Sequence, residues 1–155
     1  MLNVYNEADK EGQEKVKVQL EKIFKKQTLE FEQHYADGGD IDLYFTATTS
    51  NGRQYKYCAE CKDRKKNDHT SFDGYWMLED HKYQKLMNDK KRGYKPLYIN
   101  TTKDDWIMIW DMNSTPLHNE GIRHLPKSNM EDKGWVDKLC YDVYTEESVY
   151  NKPFI

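Results

Sequence analysis

The sequence lacks a long apolar run: none of its stretches approaches the roughly 20 residues that a membrane-spanning helix needs. Residues 1–9 contain no apolar core of the kind that signal peptides carry. Cysteine is scarce, and its count of three is odd, with nothing in the sequence to suggest secretion. We therefore expect a cytoplasmic protein with reduced thiols and without a membrane partner.

Aromatic residues, in contrast, are plentiful, with 12 Tyr, 5 Phe and 4 Trp in a chain of 155 residues. Charged residues make up 33% of the chain. Disordered chains are usually poor in aromatics, so this composition predicts a folded protein with a modest core and a polar surface. The length fits a single domain over residues 1–155.

Charge is unevenly distributed along the chain. The net charge of -3 argues against a general coat for nucleic acid, but residues 53–95 carry 12 Lys and Arg against 7 Asp and Glu, or +5. The segments on either side are acidic. A local basic surface can bind phosphate groups even on an acidic protein, although a solvated lysine-rich helix explains the same excess.

Hydrophobic periodicity predicts an α/β protein with a mixed sheet. The apolar stripe Val16, Leu20, Ile23 and Phe24 has helical spacing and marks the first helix. The predicted order is helix 7–27, strands 28–35, 41–48 and 55–62, a basic loop 63–73, helix 74–92, and strands 95–101 and 106–110. Patterns beyond residue 111 are weaker, and they favour a short helix over 130–139 and a short strand over 140–144.

A turn at Ser50-Asn51-Gly52 joins the second and third strands. With these three residues as the loop, Gly52 takes the left-handed position that favours glycine, and Thr49 pairs with Arg53. This register places Asp42 opposite Glu60. A two-residue loop would put the two carboxylates on opposite faces, because a slip of one residue inverts a strand.

The third strand ends in Glu60-Cys61-Lys62, and residues two apart on a strand share one face. Two carboxylates from adjacent strands with a nearby lysine form a site suited to Mg²⁺ or Mn²⁺. Such a metal polarises a phosphoryl oxygen and lowers the pKa of a bound water, and the lysine orients that water. The alternative is a surface ion pair between Glu60 and Lys62.

The order of these elements, with Gly-Gly-Asp-Ile-Asp-Leu-Tyr-Phe, Tyr-Cys-Ala-Glu-Cys-Lys-Asp-Arg and Pro-Leu-Tyr-Ile-Asn, resembles the PD-(D/E)xK nuclease superfamily. The resemblance covers roughly residues 7–111 and leaves 112–155 as a C-terminal extension. It implies a restriction-endonuclease-like α-β-β-β-α-β core, with a mixed central sheet flanked by helices, and metal-dependent cleavage of DNA or, less often, RNA. Ile41 stands where many members have proline.

The resemblance also implies roles for individual residues. Asp42 and Glu60 would bind the metal with the main-chain carbonyl of Cys61, and Lys62 would be the motif's lysine. Asp40 competes with Asp42 for the first role. The remaining expected participants are Glu14 from the first helix as a catalytic acid, Lys82, Gln84 or Glu79 from the second helix, and Arg64, Lys65, Lys82 and Gln84 as substrate-binding residues.

Three other patterns have simpler explanations. Cys58-x-x-Cys61 can indicate zinc or redox chemistry, but residues three apart on a strand face opposite ways, so two half-buried thiols are favoured. His118 and His124 bracket a predicted loop without a defensible metal-binding spacing. Trp106 and Trp110 share a strand face and could stack on bases, yet a core role is the more frequent one for such residues.

Two functions therefore remain in competition. The first is a Mg²⁺-dependent nuclease, with an endonuclease acting on DNA favoured. A single small domain has little surface for reading sequence, so the nuclease would be structure-directed, nonspecific or guided by a partner protein, and a homodimer is plausible because two cuts in a duplex need two sites. The second is a non-catalytic module that binds nucleic acid or protein on the same fold. Metal binding distinguishes the two.

Overall fold

The computed structural model describes residues 4–32, 41–126 and 134–155, with side chains from residue 10 onward. Two helices and nine strands occupy these ranges. In chain order they are α1 Val4–Ile23, β1 Thr28–Phe31, β2 Leu43–Thr48, β3 Gln54–Arg64, β4 Tyr75–Glu79, α2 Asp80–Lys91, β5 Lys95–Thr102, β6 Trp106–Asp111, β7 His118–Pro126, β8 Trp135–Tyr144 and β9 Tyr150–Pro153.

Six strands form one mixed sheet in the order β1-β2-β3-β5-β6-β9. Strands β3 and β5 pair in parallel, and α2 lies in the connection between them. Each of the other neighbouring pairs in this sheet is antiparallel. The remaining strands form an antiparallel sheet in the order β4-β8-β7. These observations confirm the prediction of an α/β fold with a mixed sheet.

Two hydrophobic clusters divide the core. The first contains buried residues of α1 and the main sheet, because the apolar stripe of α1 faces that sheet as its spacing predicts. Its buried members are Val16, Leu20, Leu43, Phe45, Ala59, Leu97, Ile99, Ile107 and Ile109. The second cluster joins α2, the main sheet and the small sheet, and includes Trp76, Leu86, Tyr98, Trp110 and Val143. The main sheet thus contributes to both clusters.

The β2–β3 turn has the predicted three-residue loop. The amide of Thr49 donates to the Arg53 carbonyl at 2.8 Å, and the amide of Gly52 donates to the Thr49 carbonyl at 3.0 Å. Gly52 adopts a φ of +86°, the left-handed region that its lack of a Cβ makes accessible. The strands pair Leu43 with Ala59, which confirms the predicted register over the length of β2. Asp42 precedes β2, and its carboxylate accepts a hydrogen bond from the amide of Cys61.

The prediction of one helix over 74–92 is wrong at its start. Residues Tyr75–Glu79 form strand β4, and α2 begins at Asp80. Trp76 and Leu78 are both buried while Tyr75 is exposed, which is the two-residue period of a strand. Trp76 therefore packs into the core from β4 and not from α2.

The prediction of a helix over 130–139 is also wrong where it can be compared. Residues 135–139 belong to the ten-residue strand Trp135–Tyr144, and residues 130–133 lie outside the described ranges. Its partner β7 contains both His118 and His124, which the sequence placed beside a loop. Pairing with β7 on one side and with the sequence-distant β4 on the other decides this conformation, and the local pattern of residues 130–139 does not report such pairing.

Several other predictions fall partly outside the described residues. Strand β1 ends at Phe31, so the predicted residues 33–35 of that strand, the turn at 37–39 and Asp40 lie where the structure gives no description. Helix α1 ends at Ile23, earlier than the predicted residue 27. None of the described helices is both long enough and apolar enough to cross a bilayer.

Candidate metal centre and active site

Asp42 stands just before β2, and each of its carboxylate oxygens accepts a hydrogen bond from a different element. The main-chain amide of Cys61 in β3 donates to Oδ2 at 2.9 Å. The side chain of Gln13 in α1 donates from Nε2 to Oδ1 at 3.3 Å. A carboxylate held from two directions has a defined orientation, while each oxygen keeps a further lone pair for another partner.

Glu60 is the second carboxylate of the site, and it is almost completely buried, with 5% of its surface exposed. Burial raises its pKa to about 8, and the neighbouring Asp42 carboxylate adds to that rise. Its Oε2 atom is buried and accepts no hydrogen bond from any donor in the described ranges. An ionised Asp42 has no proton to donate, so it can form a hydrogen bond with Oε2 only if the two carboxylates share a proton. The pair of carboxylates Asp42 and Glu60 therefore needs a bound proton or a cation.

Lys82 from α2 supplies one positive charge to this pair. Its Nζ lies 3.0 Å from Glu60 Oε1, and its side chain is 30% exposed. This charge lowers the pKa of Glu60, in opposition to burial and Asp42. Lys82 was predicted as a helix residue of the site, and the structure brings it to Glu60.

Lys62 lies on the same face of β3 as Glu60, as the two-residue period requires. Burial lowers its pKa, the charge of Arg64 lowers it further, and the carboxylates of Glu79 and Glu60 oppose these effects. A lysine with a lowered pKa exchanges a proton nearer neutral pH than an ordinary lysine does. Lys62 therefore stands beside the carboxylate pair with suitable chemistry for assisting a bound water.

The donor set fits a hard divalent cation. Mg²⁺ is commonly held by one or two carboxylates together with waters and substrate phosphates, and it needs no complete cage of side chains. Asp42, Glu60 and the Cys61 carbonyl supply such a partial set, and the unsatisfied Oε2 of Glu60 offers an open ligand atom. No cluster of three or more His, Cys, Asp or Glu residues suited to a metal occurs in the described ranges. A metal held by the described residues would therefore have fewer than three such side chains as ligands.

Glu14, predicted to be the acid from the first helix, is placed elsewhere. Its Oε1 atom pairs with Lys17 Nζ at 3.1 Å, and its side chain is 60% exposed. Gln13 contacts Asp42 instead. Gln13 continues the apolar stripe of Val16 and Leu20 toward the N-terminus, so a polar residue on a buried stripe was the signal that could have found it.

Arg64 is engaged in holding the two sheets together. Its Nε donates to Asn100 Oδ1 at 2.7 Å, and its Nη2 donates to the Met77 carbonyl at 2.8 Å and to the Tyr98 hydroxyl at 3.1 Å. Lys65, which follows it, is exposed. Both were predicted to bind substrate, and that role stays a prediction.

The two other candidates on or before α2 differ in position. Gln84 donates to Asp80 Oδ1 at 3.2 Å and is exposed, so it faces away from the carboxylate pair. Glu79 ends β4 and pairs with Lys138 Nζ of β8 at 2.8 Å. The charge of the Glu79 carboxylate raises the pKa of Lys62. Glu79 thus connects Lys138 of β8 to the site. Sequence reasoning missed Lys138 because β8 was not predicted in full.

The remaining motifs have structural roles. All three cysteines are free thiols, with Cys58 and Cys61 in different hydrophobic clusters on opposite faces of β3. Trp110 is fully buried, and Trp106 packs against the same cluster, which confirms the core interpretation. His118 pairs with Glu147, its Nε2 lying 2.6 Å from Oε1.

No protein-family model, no curated protein and no solved structure matches this chain. Functional inference therefore rests on the chemistry of the four charged side chains that the fold gathers at β2, β3 and α2. They are Asp42, Glu60, Lys62 and Lys82.

Proposed function

We propose that this protein is a metal-dependent nuclease of the PD-(D/E)xK type, which hydrolyses phosphodiester bonds of nucleic acid, with DNA the favoured substrate. The observation that carries the proposal is the buried Glu60 carboxylate beside Asp42. One of its oxygens contacts Lys82, and the other has no hydrogen-bond donor in the described ranges. A buried acceptor of this kind is costly unless a proton or cation is bound there.

The order of elements supports the same assignment. Helix α1, strands β1, β2 and β3, helix α2 and strand β5 follow one another as the superfamily resemblance implies, with β4 inserted before α2. The crossover through α2 returns to a strand parallel to β3. Glu60 and Lys62 lie in the third strand as expected, whereas Asp42, predicted to lie within the second strand, directly precedes it because β2 begins at Leu43.

Each residue of the site would then have a separate role in hydrolysis. Asp42, Glu60 and the Cys61 carbonyl would hold Mg²⁺ or Mn²⁺, which when bound polarises a phosphoryl oxygen and lowers the pKa of a coordinated water. Lys62 would orient the attacking water and accept its proton, for which a lowered pKa is suitable. Gln13 would keep Asp42 aligned, and Lys82 would offset charge that develops on the phosphate.

The test combines metal binding with cleavage. Calorimetry with Mg²⁺ and Mn²⁺, and digestion of plasmid, single-stranded DNA and RNA with either metal or EDTA, are measured for the wild type, Asp42→Asn, Glu60→Gln and Lys62→Met. We expect Asp42→Asn and Glu60→Gln to lose metal binding, and all three variants to lose cleavage by about 100-fold or more. Glu14→Gln is the matched control, since it neutralises an exposed glutamate and should leave both unchanged. Cleavage that survives in Glu60→Gln and Lys62→Met would overturn the proposal.

One observation favours the non-catalytic alternative. The Lys82 ammonium already compensates part of the charge of Glu60, so the pair can be stable without a metal. A wild-type protein that binds nucleic acid but no divalent cation, and that binds equally well as Asp42→Asn, would support a binding module on this fold. The same calorimetry therefore decides between the two functions.

A further inference from the structure

The contact between Lys82 and Glu60 has an unusual location on its helix. Lys82 lies in the first turn of α2, which begins at Asp80. A helix N-terminus carries partial positive charge and disfavours a cation there. The other first-turn charge is Asp80, which accepts hydrogen bonds from Tyr141 at 2.5 Å and from Gln84 at 3.2 Å. Lys82 therefore stays in this turn against the helix dipole, with the Glu60 carboxylate 3.0 Å from its Nζ.

A second lysine lies close enough to interact with the same ammonium group. Burial lowers the pKa of Lys62 on β3, and Lys82 is one of the cations that lower it further. Repulsion from Lys62 and from the helix terminus opposes the attraction of Glu60. The side chain is long and partly exposed, so its ammonium can move several ångströms without a change in the backbone. These features describe a counter-ion of Glu60 whose long side chain also reaches solvent.

We propose that Lys82 is the internal counter-ion of the ionised Glu60 carboxylate in the metal-free protein, and that its ammonium leaves Oε1 for the substrate phosphate when a divalent cation binds. This inference rests on the proposed function. Removal of the ammonium opens Oε1 beside the unsatisfied Oε2, so that both oxygens become available to one cation. The released ammonium then faces solvent at the mouth of the site, where a phosphate provides its new anionic partner.

Coupling between cation and substrate follows from this exchange. A phosphate that binds the released ammonium makes its release easier, so cation and phosphate each strengthen the binding of the other by the same factor. In Lys82→Met no ammonium needs to be released, and this part of the coupling is lost. Lys82→Arg keeps a positive charge and should keep part of the coupling, while Lys90→Met, on the exposed face of α2, is the matched control.

The first measurement follows the ammonium directly. Nuclear magnetic resonance of ¹⁵N-lysine side chains detects an ammonium group that is hydrogen bonded and protected from exchange, and Lys82→Arg assigns its signal. We expect a resolved Lys82 signal in EDTA that shifts or broadens away when saturating Mg²⁺ is added. A signal that stays unchanged while calorimetry shows Mg²⁺ bound would overturn the inference and leave the proposed nuclease intact.

The second measurement is the affinity for Mg²⁺ in the presence and absence of a non-cleavable phosphorothioate dinucleotide. It is made from pH 7 to 9.5, because loss of the ammonium also leaves Glu60 easier to protonate. We expect the dinucleotide to raise the Mg²⁺ affinity of the wild type by about tenfold and that of Lys82→Met much less. Equal enhancement in both proteins contradicts the inference. Absence of Mg²⁺ binding in the wild type and in Lys82→Met alike contradicts the proposed function as well.

Discussion

Lys82 Nζ and Glu60 Oε1 lie 3.0 Å apart, although one side chain comes from helix α2 and the other from strand β3. The crossover from β3 to β5 places α2 on the face of the sheet that Glu60 occupies. Glu60 is buried and Lys82 is partly exposed, so the contact links the buried carboxylate to the protein surface. Four expected outcomes follow from this arrangement and from the elements that support it.

The first concerns the pH dependence of stability through Glu60. Its pKa is about 8 in the folded protein against an ordinary value of 4.5, mainly because of burial. The folded state therefore retains a proton that the unfolded state releases, and the stability due to this proton is complete below about pH 4.5 and is lost as pH rises through about 8. We expect Glu60→Gln to gain stability relative to the wild type as pH increases from 5 to 9 in EDTA.

Urea unfolding of both proteins across that range measures this difference. Glu14→Gln serves as the control, because it removes an exposed glutamate from α1. A constant difference in unfolding free energy between the wild type and Glu60→Gln would show that Glu60 titrates alike in the folded and unfolded states.

The second expected outcome separates Gln13 from Glu14. Gln13 donates to Asp42, and groups that orient a metal ligand typically change metal affinity by 10- to 100-fold when they are removed. Gln13→Ala should therefore weaken Mg²⁺ binding by about tenfold, whereas Glu14→Ala should leave it unchanged. Calorimetry on the two variants gives the comparison, and the reverse order of effects would restore Glu14 to the role predicted from the sequence.

The third concerns Arg64, which bonds to Asn100, Met77 and Tyr98. A lysine cannot reproduce the forked geometry of the guanidinium, so Arg64→Lys should lower the free energy of unfolding by about 2 kcal/mol. Lys65→Ala, at the exposed neighbouring position, should change it by less than about 0.5 kcal/mol. Chemical denaturation measures both. Equal stability of Arg64→Lys and the wild type would mean that these bonds contribute little.

The fourth tests the turn that sets the β2–β3 register. Gly52 has a φ of +86°, and an added Cβ would meet no atom within 4 Å, so any cost arises from the backbone conformation. Gly52→Ala should destabilise the protein by about 1 kcal/mol. Ser50→Ala in the same exposed loop is the control. If Gly52→Ala unfolds at the same denaturant concentration as the wild type, the left-handed conformation of residue 52 does not stabilise this register.

The candidate site was partly accessible from the sequence because two of its relationships are local. Glu60 and Lys62 share a face through the period of a strand, and Asp42 opposes Glu60 through the length of one turn. The choice between Gln13 and Glu14 depends on how α1 is rotated against the sheet. Neighbouring helix positions point about 100° apart, so the rotation of α1 about its own axis decides which of the two side chains reaches Asp42.

The sequence by itself determined the stripe of α1, the β2–β3 register and the α/β class, since periodicity and turn chemistry act between residues that are near one another in the chain. Only the tertiary structure decided that Tyr75–Glu79 is a strand, that β4 and β8 pair, and that Lys82 contacts Glu60. These outcomes depend on burial and pairing with distant segments, which contribute more free energy than local propensity does.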